Sequence, residues 1–250
     1  MADISDRTHE YGWRARLGVI VPPTNTVNEA EWQRMAPTGV SVHATRMPLH
    51  TDTETDAGER ALYADLEQAV QDLSSAGMDV IAYGCTAGSM VRPLTRLTDY
   101  MTKLCNRPTV ATAPAIVQAL QALGASKVSV ATPYHDVLNA HEKAFLAANG
   151  IETLAIAGLG IGAGGAHEYT QIARRPASDA FDLAVSVDRA EAEAIVISCT
   201  DFATLPIIDR LEQTLGKPVV TSNQATFWAA LRASGITDHL DGAGRLLREH

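Results

Sequence analysis

Two cysteines stand in matching surroundings. Cys85 ends the run Asp79-Val-Ile-Ala-Tyr-Gly-Cys85 and is followed by Thr-Ala-Gly-Ser-Met90, so an apolar stretch closes in a small, glycine-flanked turn. The same arrangement returns at Glu193-Ala-Ile-Val-Ile-Ser-Cys-Thr-Asp-Phe202, with Cys199 in the place of Cys85. A thiol has a reference pKa of about 8.5, and a helix N-terminus lowers it toward neutrality, so a cysteine at a strand tip ahead of a helix can serve as nucleophile or general base. Two such thiols reaching one small substrate from opposite faces divide the work: one adds to or takes from carbon, the other gives or removes a proton. That geometry suits stereochemical change at a carbon beside a carboxylate. Thr86 and Thr200 follow the two cysteines and bring hydroxyl and backbone N–H toward substrate oxygens, where an enolate-like transition state gathers charge. Ala87 and Asp201 are the next residues of the two turns and are taken into the expected substrate-binding set. A lone buried cysteine is commonly inert packing, and it is the repeated context that sets this pair apart. Cys105, in Lys103-Leu-Cys-Asn-Arg107, lacks that context and reads as a packing residue of a helix.

The elements that must carry these thiols repeat as well. A short apolar strand at 17–21 ends at Pro22-Pro23, and Thr24-Asn25-Thr26 precedes a helix at 27–35 that Asn25 or Thr26 is suited to cap. Val128-Ser-Val-Ala-Thr-Pro-Tyr134 repeats that opening in the second half and puts Tyr134 where Asn25 stood. Asn25 therefore has two compatible readings, helix cap and carboxylate ligand, while Tyr134 is expected to donate its phenol to a substrate oxygen. Further strands are expected at 39–47, 79–84, 109–112, 127–132, 152–159, 194–198 and 219–221. Helices are expected between them at 59–76, 89–104 with a break at Pro93, 114–123, 136–149, 179–190, 204–215 and 223–234, with a helical tail over 238–248.

Such alternation of apolar strands with helices indicates an α/β fold with parallel sheets covered on both faces, whose ligands bind beyond the carboxyl ends of the strands. The repeat makes it two similar Rossmann-like, flavodoxin-like halves with sheets of about four parallel strands each, related by a pseudo-two-fold axis. The expected division is 1–124, carrying Asn25 and Cys85, and 125–250, carrying Tyr134 and Cys199, with the active site in the cleft between them. Residues 51–58 read as an acidic, Thr-rich loop. The glycine-rich stretch 158–165 lacks the Lys-Ser/Thr of a nucleotide P-loop and reads as a lid. Tyr169, just beyond it, is a further site candidate, whereas His167, Glu168, His135 and His141 read as solvated surface residues.

Composition narrows the function. The 250 residues are 46% hydrophobic and 20% charged, which is ordinary for a globular protein, and no apolar run approaches the length of about 18 residues that spans a bilayer. A formal net charge of −9 and a pI near 5.3 argue against a nucleic-acid surface, so a small anion would be held by local backbone N–H groups instead. Three cysteines without CxxC spacing suggest neither a disulfide framework nor a zinc site, and no other ligands cluster for a metal. Working thiols suit a reducing cytoplasm, and the polar start at 1–7 has no apolar core that would direct export.

Five segments together resemble one known family. Gly18-Val-Ile-Val-Pro-Pro-Thr-Asn-Thr26, Arg34-Met-Ala-Pro37 with Gly39-Val-Ser-Val42, Tyr83-Gly-Cys-Thr-Ala-Gly88, Ile197-Ser-Cys-Thr200 and Gly216-Lys-Pro-Val-Val-Thr-Ser-Asn-Gln224 are similar to the maleate cis-trans isomerases of the aspartate/glutamate racemase superfamily. The resemblance runs over nearly the whole chain. That branch also holds arylmalonate decarboxylase-like relatives with a single catalytic cysteine. The resemblance implies a cofactor-independent reaction in which Cys85 adds to the double bond of a cis-dicarboxylate, the new single bond rotates, and Cys199 serves as acid and base at the neighbouring carbon. It also implies that Asn25 and Tyr134 hold the carboxylates and that the protein is a homodimer or higher homo-oligomer. One position departs from the family pattern: the isomerases carry an asparagine after the lid, where this chain has Ala166-His-Glu-Tyr-Thr-Gln-Ile172, with Tyr169 or Gln171 nearest the place. The alternatives carried forward are a racemase or decarboxylase of a small carboxylic acid, and a non-catalytic small-acid-binding protein.

Overall fold

The computed structural model describes residues 9–50 and 55–250. The expected leader at 1–7 and the first part of the expected loop at 51–58 lie outside the described residues.

The chain runs β1 (Ala15–Val21), α1 (Asn28–Met35), β2 (Val40–Arg46), α2 (Asp56–Ser75), β3 (Val80–Tyr83), α3 (Arg96–Cys105), β4 (Thr109–Ala111) and α4 (Thr112–Ala122). It then repeats as β5 (Lys127–Tyr134), α5 (Asp136–Ala148), β6 (Glu152–Ile161), α6 (Ala177–Val187), β7 (Ala194–Ile197), α7 (Ile208–Leu215), β8 (Val219–Thr221) and α8 (Ser222–Ala233), and closes with α9 (Gly244–Glu249). The two sheets have the orders β2-β1-β3-β4 and β6-β5-β7-β8, with every pairing parallel. In each, the strand order reverses beside the sheet's first strand in sequence, which opens a crevice at the carboxyl end between that strand and the third. Asn25 and Cys85 follow β1 and β3, and Tyr134 and Cys199 end β5 and follow β7, so all four leave the sheets at these two switch points.

The strands form because they can be buried on both faces. Leu17, Val19, Ile20, Val80, Ile81 and Ala82 have no exposed surface, nor have Ile195, Val196 and Ile197 in the second sheet. Helix α2 covers the first sheet with Leu62, Leu66, Ala69, Val70 and Leu73 at helical spacing. Its start lies earlier than expected, because the Thr55 hydroxyl accepts from the Gly58 N–H and caps a first turn that holds Asp56 and Glu59. The glycine-rich stretch also differs from expectation. Its first half belongs to β6, where Gly158 pairs with Thr132 and has no room for a side chain against the Tyr134 carbonyl. A turn occupies only 162–165, and the Glu168 carboxylate accepts from the Gly162 and Gly164 N–H groups there at 2.8 and 3.1 Å. Glu168 thus fastens the turn rather than standing free in solvent.

The two sheets share one core. Helices α4 and α8 pack against each other, α8 reaches β3 and β4 of the first sheet, and α4 reaches β8 of the second. Trp32 of α1 meets Phe227 of α8 edge-on at 5.3 Å, both fully buried, and its indole N–H donates to the Asn223 carbonyl at 3.1 Å. Truncating a buried aromatic of this kind costs about 3–5 kcal/mol, so this seam holds the facing strand ends rigidly. No helix among the described residues is long and apolar enough to cross a membrane.

Candidate active site

A cavity of about 250 Å³ lies between the carboxyl ends of the two sheets. Cys85 and Cys199 both border it, each only 8% exposed. Asn25, Thr86, Ala87 and Tyr134 border it too, as do Tyr169, Thr200 and Asp201, so the fold brings every residue singled out at the cysteine turns to one space. Cys199 is held at φ 89°, a left-handed conformation rare outside glycine, at a cost of about 1–3 kcal/mol that surrounding contacts must sustain.

Hydrogen bonds across the cleft set the geometry. The Asn25 side-chain Oδ1 accepts from the Val27 and Asn28 N–H groups, both at 3.0 Å, at the start of α1. Its amide donates to the Thr200 hydroxyl at 3.0 Å, and that hydroxyl donates onward to the Gly84 carbonyl at 2.9 Å. The Thr200 proton is thereby spent on positioning, which leaves one amide N–H of Asn25 and the Thr200 backbone N–H for a ligand. The Thr86 hydroxyl is likewise engaged, 2.8 Å from the Ser222 hydroxyl of α8. Asp201 reaches across to accept from the Thr26 N–H at 2.9 Å, while its other oxygen has no partner.

The thiols differ from the simple expectation of a helix start. Only a short 3-10 turn, Ala87–Ser89, follows Cys85, and the next helix after Cys199 is α7, so no long helix dipole acts on either sulfur. Burial pushes the Cys85 thiol up, partly offset by the Gly88 N–H at 3.4 Å and the Tyr83 phenol. Burial pushes Cys199 up to about 12, against hydrogen bonds from the Tyr134 phenol and the Asp201 N–H. Cys199 therefore keeps its proton at neutral pH and is equipped as an acid. Asp201 is also displaced by burial, to about 7, with the N–H groups of Thr26 and Val27 pulling the other way.

Several cavity residues lay outside the sequence-derived set. Tyr83 stands two positions before Cys85, and strand alternation puts both on one side, a signal present in the motif itself. His141, read as a surface residue, borders the cavity from α5, and His50 borders it from the segment after β2. The 3-10 turn Ala166–Arg174 turns once per about three residues, which aligns Tyr169 with Ile172 on the cavity and leaves Gln171 exposed. Cys105 caps nothing here; its thiol sits at the end of α3, 3.2 Å from the Met101 carbonyl. No group of three or more His, Cys, Asp or Glu residues is arranged to hold a metal among the described residues.

Behind Cys199, Glu142 is buried with its carboxylate accepting from the Ser198 hydroxyl and its second oxygen without a partner. Burial pushes this carboxyl from 4.5 to about 7, and Ser198 offsets only part of that. Below the unfolded value both states are protonated and nothing is lost; as pH rises through 7 the folded protein must ionise a buried group. A displacement of this size corresponds to roughly 3 kcal/mol. Glu142→Gln is therefore expected to raise the unfolding free energy by about 2–3 kcal/mol at pH 8 and by little at pH 5, measured by urea denaturation at both values. An equal gain at both would show that ionisation is not the cause.

The sequence profile described as arylmalonate decarboxylase matches residues 17–247. The chain belongs to this family. The relatives it matches include maleate isomerases and an arylmalonate decarboxylase. A maleate isomerase of Nocardia farcinica is 30% identical over 247 residues, covering 94% of this chain and 96% of the relative. An arylmalonate decarboxylase of Bordetella bronchiseptica is 30% identical over 239 residues, covering 93% of this chain and 96% of the relative. Among solved structures, a cysteine-to-serine variant of the Nocardia farcinica maleate cis-trans isomerase, with a covalently bound succinylcysteine intermediate, superposes with a TM-score of 0.84 at 28% identity. That match covers 94% of this chain and 99% of the other.

Proposed function

We propose that this protein is a cofactor-independent isomerase that converts maleate to fumarate. The observation that carries the reading is the pair of thiols, delivered by equivalent turns of two sheets to one enclosed cavity. The succinylcysteine in the similar isomerase supports a covalent route. In it the Cys85 sulfur, as thiolate, bonds to one alkene carbon while the neighbouring carbon takes the Cys199 proton, which gives a succinyl thioether on Cys85 and a thiolate on Cys199. The former double bond is now single and rotates. Cys199 then removes a proton from the carbon it had protonated, the C–S bond breaks, and fumarate leaves with Cys85 again a thiolate and Cys199 again a thiol.

Burial raises both thiols, and Cys199, pushed up to about 12, is suited to hold its proton until the substrate carbon takes it. Asn25, Tyr134 and the N–H groups of the two Cys-Thr turns would hold the carboxylate next to the reacting carbon and stabilise the enediolate that forms on addition. Tyr83 donates a phenol hydrogen bond to Cys85 that favours its thiolate, whereas the single phenol proton of Tyr134, which meets Cys199 in the free site, would turn to the carboxylate when substrate binds. The two halves at 1–124 and 125–250 act as facing walls, and the free thiols suit a reducing cytoplasm.

Incubation with maleate, followed by proton NMR, is expected to show fumarate accumulating without added metal or cofactor. No fumarate, together with carbon dioxide release from an arylmalonate, would overturn the reading in favour of the decarboxylase.

A further inference from the structure

The cavity wall offers few donors for an anion. Around the cysteines the donors left open are neutral: one amide N–H of Asn25, the Tyr169 phenol and turn N–H groups, enough for one carboxylate. Leu49, Leu62, Leu138 and Ile172 also line it and offer no donor, and Thr24, His50 and His141 are further polar side chains on it. Among the described residues no lysine or arginine borders the cavity. Arg46, which ends β2 near the site, spends its guanidinium on the Asn25 carbonyl at 3.1 Å and on Glu29. A second carboxylate pushed against leucines without a partner would carry a large desolvation cost.

Two side chains on the cavity can take a positive charge, His50 and His141. They are not equivalent. His141 is exposed on α5 and has no hydrogen-bond partner among the described residues. His50 has a side chain 13% exposed, and its Nε2 lies 2.8 Å from the Asp65 carboxylate of α2. Leu62, one turn before Asp65 on the same helix, lines the cavity beside it. The segment is anchored by the buried Met47, whose N–H donates to the Val21 carbonyl at 3.2 Å. His50 Nδ1 has no hydrogen bond among the described residues.

We propose that His50, oriented by Asp65, is the specificity-determining residue that receives the substrate's distal carboxylate, a role resting on the isomerase reading above. In the complex Asp65 would accept from Nε2–H and a substrate carboxylate from Nδ1–H, so that the ring joins the two carboxylates. The ring supplies the partner a second carboxylate needs on a wall that has no lysine or arginine among the described residues. It does so from the β2–α2 side, whereas Tyr169, after the glycine-rich turn, brings a phenol and no charge. The site should therefore prefer dicarboxylates over monocarboxylates of equal length, and the preference should reside in His50.

Titration calorimetry with succinate and butyrate, which match in length and lack a double bond, tests this without turnover. Wild-type protein is expected to bind succinate more tightly than butyrate. A charge-assisted hydrogen bond of this kind accounts for about 10- to 100-fold in affinity, so His50→Leu should weaken succinate by that factor and change butyrate by less than about twofold. Asp65→Asn should act in the same direction with a smaller factor, an effect that a mere packing role for His50 would not produce. In turnover, the KM for maleate should rise by more than kcat falls. Unchanged succinate affinity in His50→Leu, or an equal loss for butyrate, overturns the inference. Wild-type protein that prefers succinate through His50 yet makes no fumarate would instead sink the isomerase reading and leave this assignment standing.

Discussion

Cys85→Ala is expected to lose at least about 10⁴-fold in kcat for maleate, and Cys199→Ala a comparable factor, with the double variant little worse than either alone. The reason is that the two sulfurs complete one act. Without Cys85 no bond forms to the alkene carbon, and the barrier to rotation about a double bond stays intact. Without Cys199 the carbanion made by addition has no acid beside it. The thiol best placed to serve is the one that burial, acting against the Tyr134 phenol, holds at about 12. Cys199→Ser separates the two steps. Its hydroxyl occupies the same position but removes a carbon-bound proton far more slowly, so maleate should leave Cys85 heavier by one whole maleic acid, read by intact-protein mass spectrometry and peptide mapping. Adduct on Cys199 in the reciprocal Cys85→Ser variant, with none on Cys85 in Cys199→Ser, would exchange the roles. Full activity in either alanine variant would remove that cysteine from the reaction.

A second large effect is expected away from the sulfurs. Glu31 of α1 is 4% exposed, and its carboxylate accepts from the Thr204 and Leu205 N–H groups at 2.6 and 2.7 Å, from the Thr204 hydroxyl at 3.3 Å and from the Asn223 amide at 2.7 Å. Burial raises its pKa, and those donors oppose the rise. All of them belong to the second half of the chain, so one carboxylate ties α1 to the turn that begins at Cys199 and to the start of α8. Glu31→Ala strands these donors in a buried space, which costs roughly 3–5 kcal/mol, or about 10 °C in Tm for a chain of this length. Activity should fall at temperatures where the variant is still folded, because the Cys199 turn loses its tether to the wall that holds Asn25. Differential scanning calorimetry and kcat at 25 °C check both parts. A Tm within about 2 °C of wild type would mean that water replaces the carboxylate at little cost.

The apolar runs before Gly84 and Ser198 demand strands buried on both faces, and a buried parallel strand must release its chain at the edge where ligands bind. Local chemistry of that kind made Cys85, Cys199, Asn25 and Tyr134 legible, together with the order of elements and the pairing of the halves. Helix boundaries were less so: Thr55 starts α2 before the apolar stripe begins, and Gly158 belongs to a strand because its missing side chain lets the Tyr134 carbonyl approach. Tyr83 was visible two residues from Cys85 once strand alternation is applied.

Other features depend on residues far apart in the chain. Whether a thiol is lowered by a helix or raised by burial depends on everything packed around it, and here burial wins at both sulfurs. His50 gains meaning only from Asp65 on another element and from a cavity wall without lysine or arginine among the described residues. Glu31 reads as an ordinary first-turn acid of a short helix until the fold sets Thr204, Leu205 and Asn223 against it. Strand ends and turns follow from neighbours along the backbone, whose influence spans a few residues; desolvation and charge pairing follow from neighbours in space, and only the closed tertiary structure supplies those.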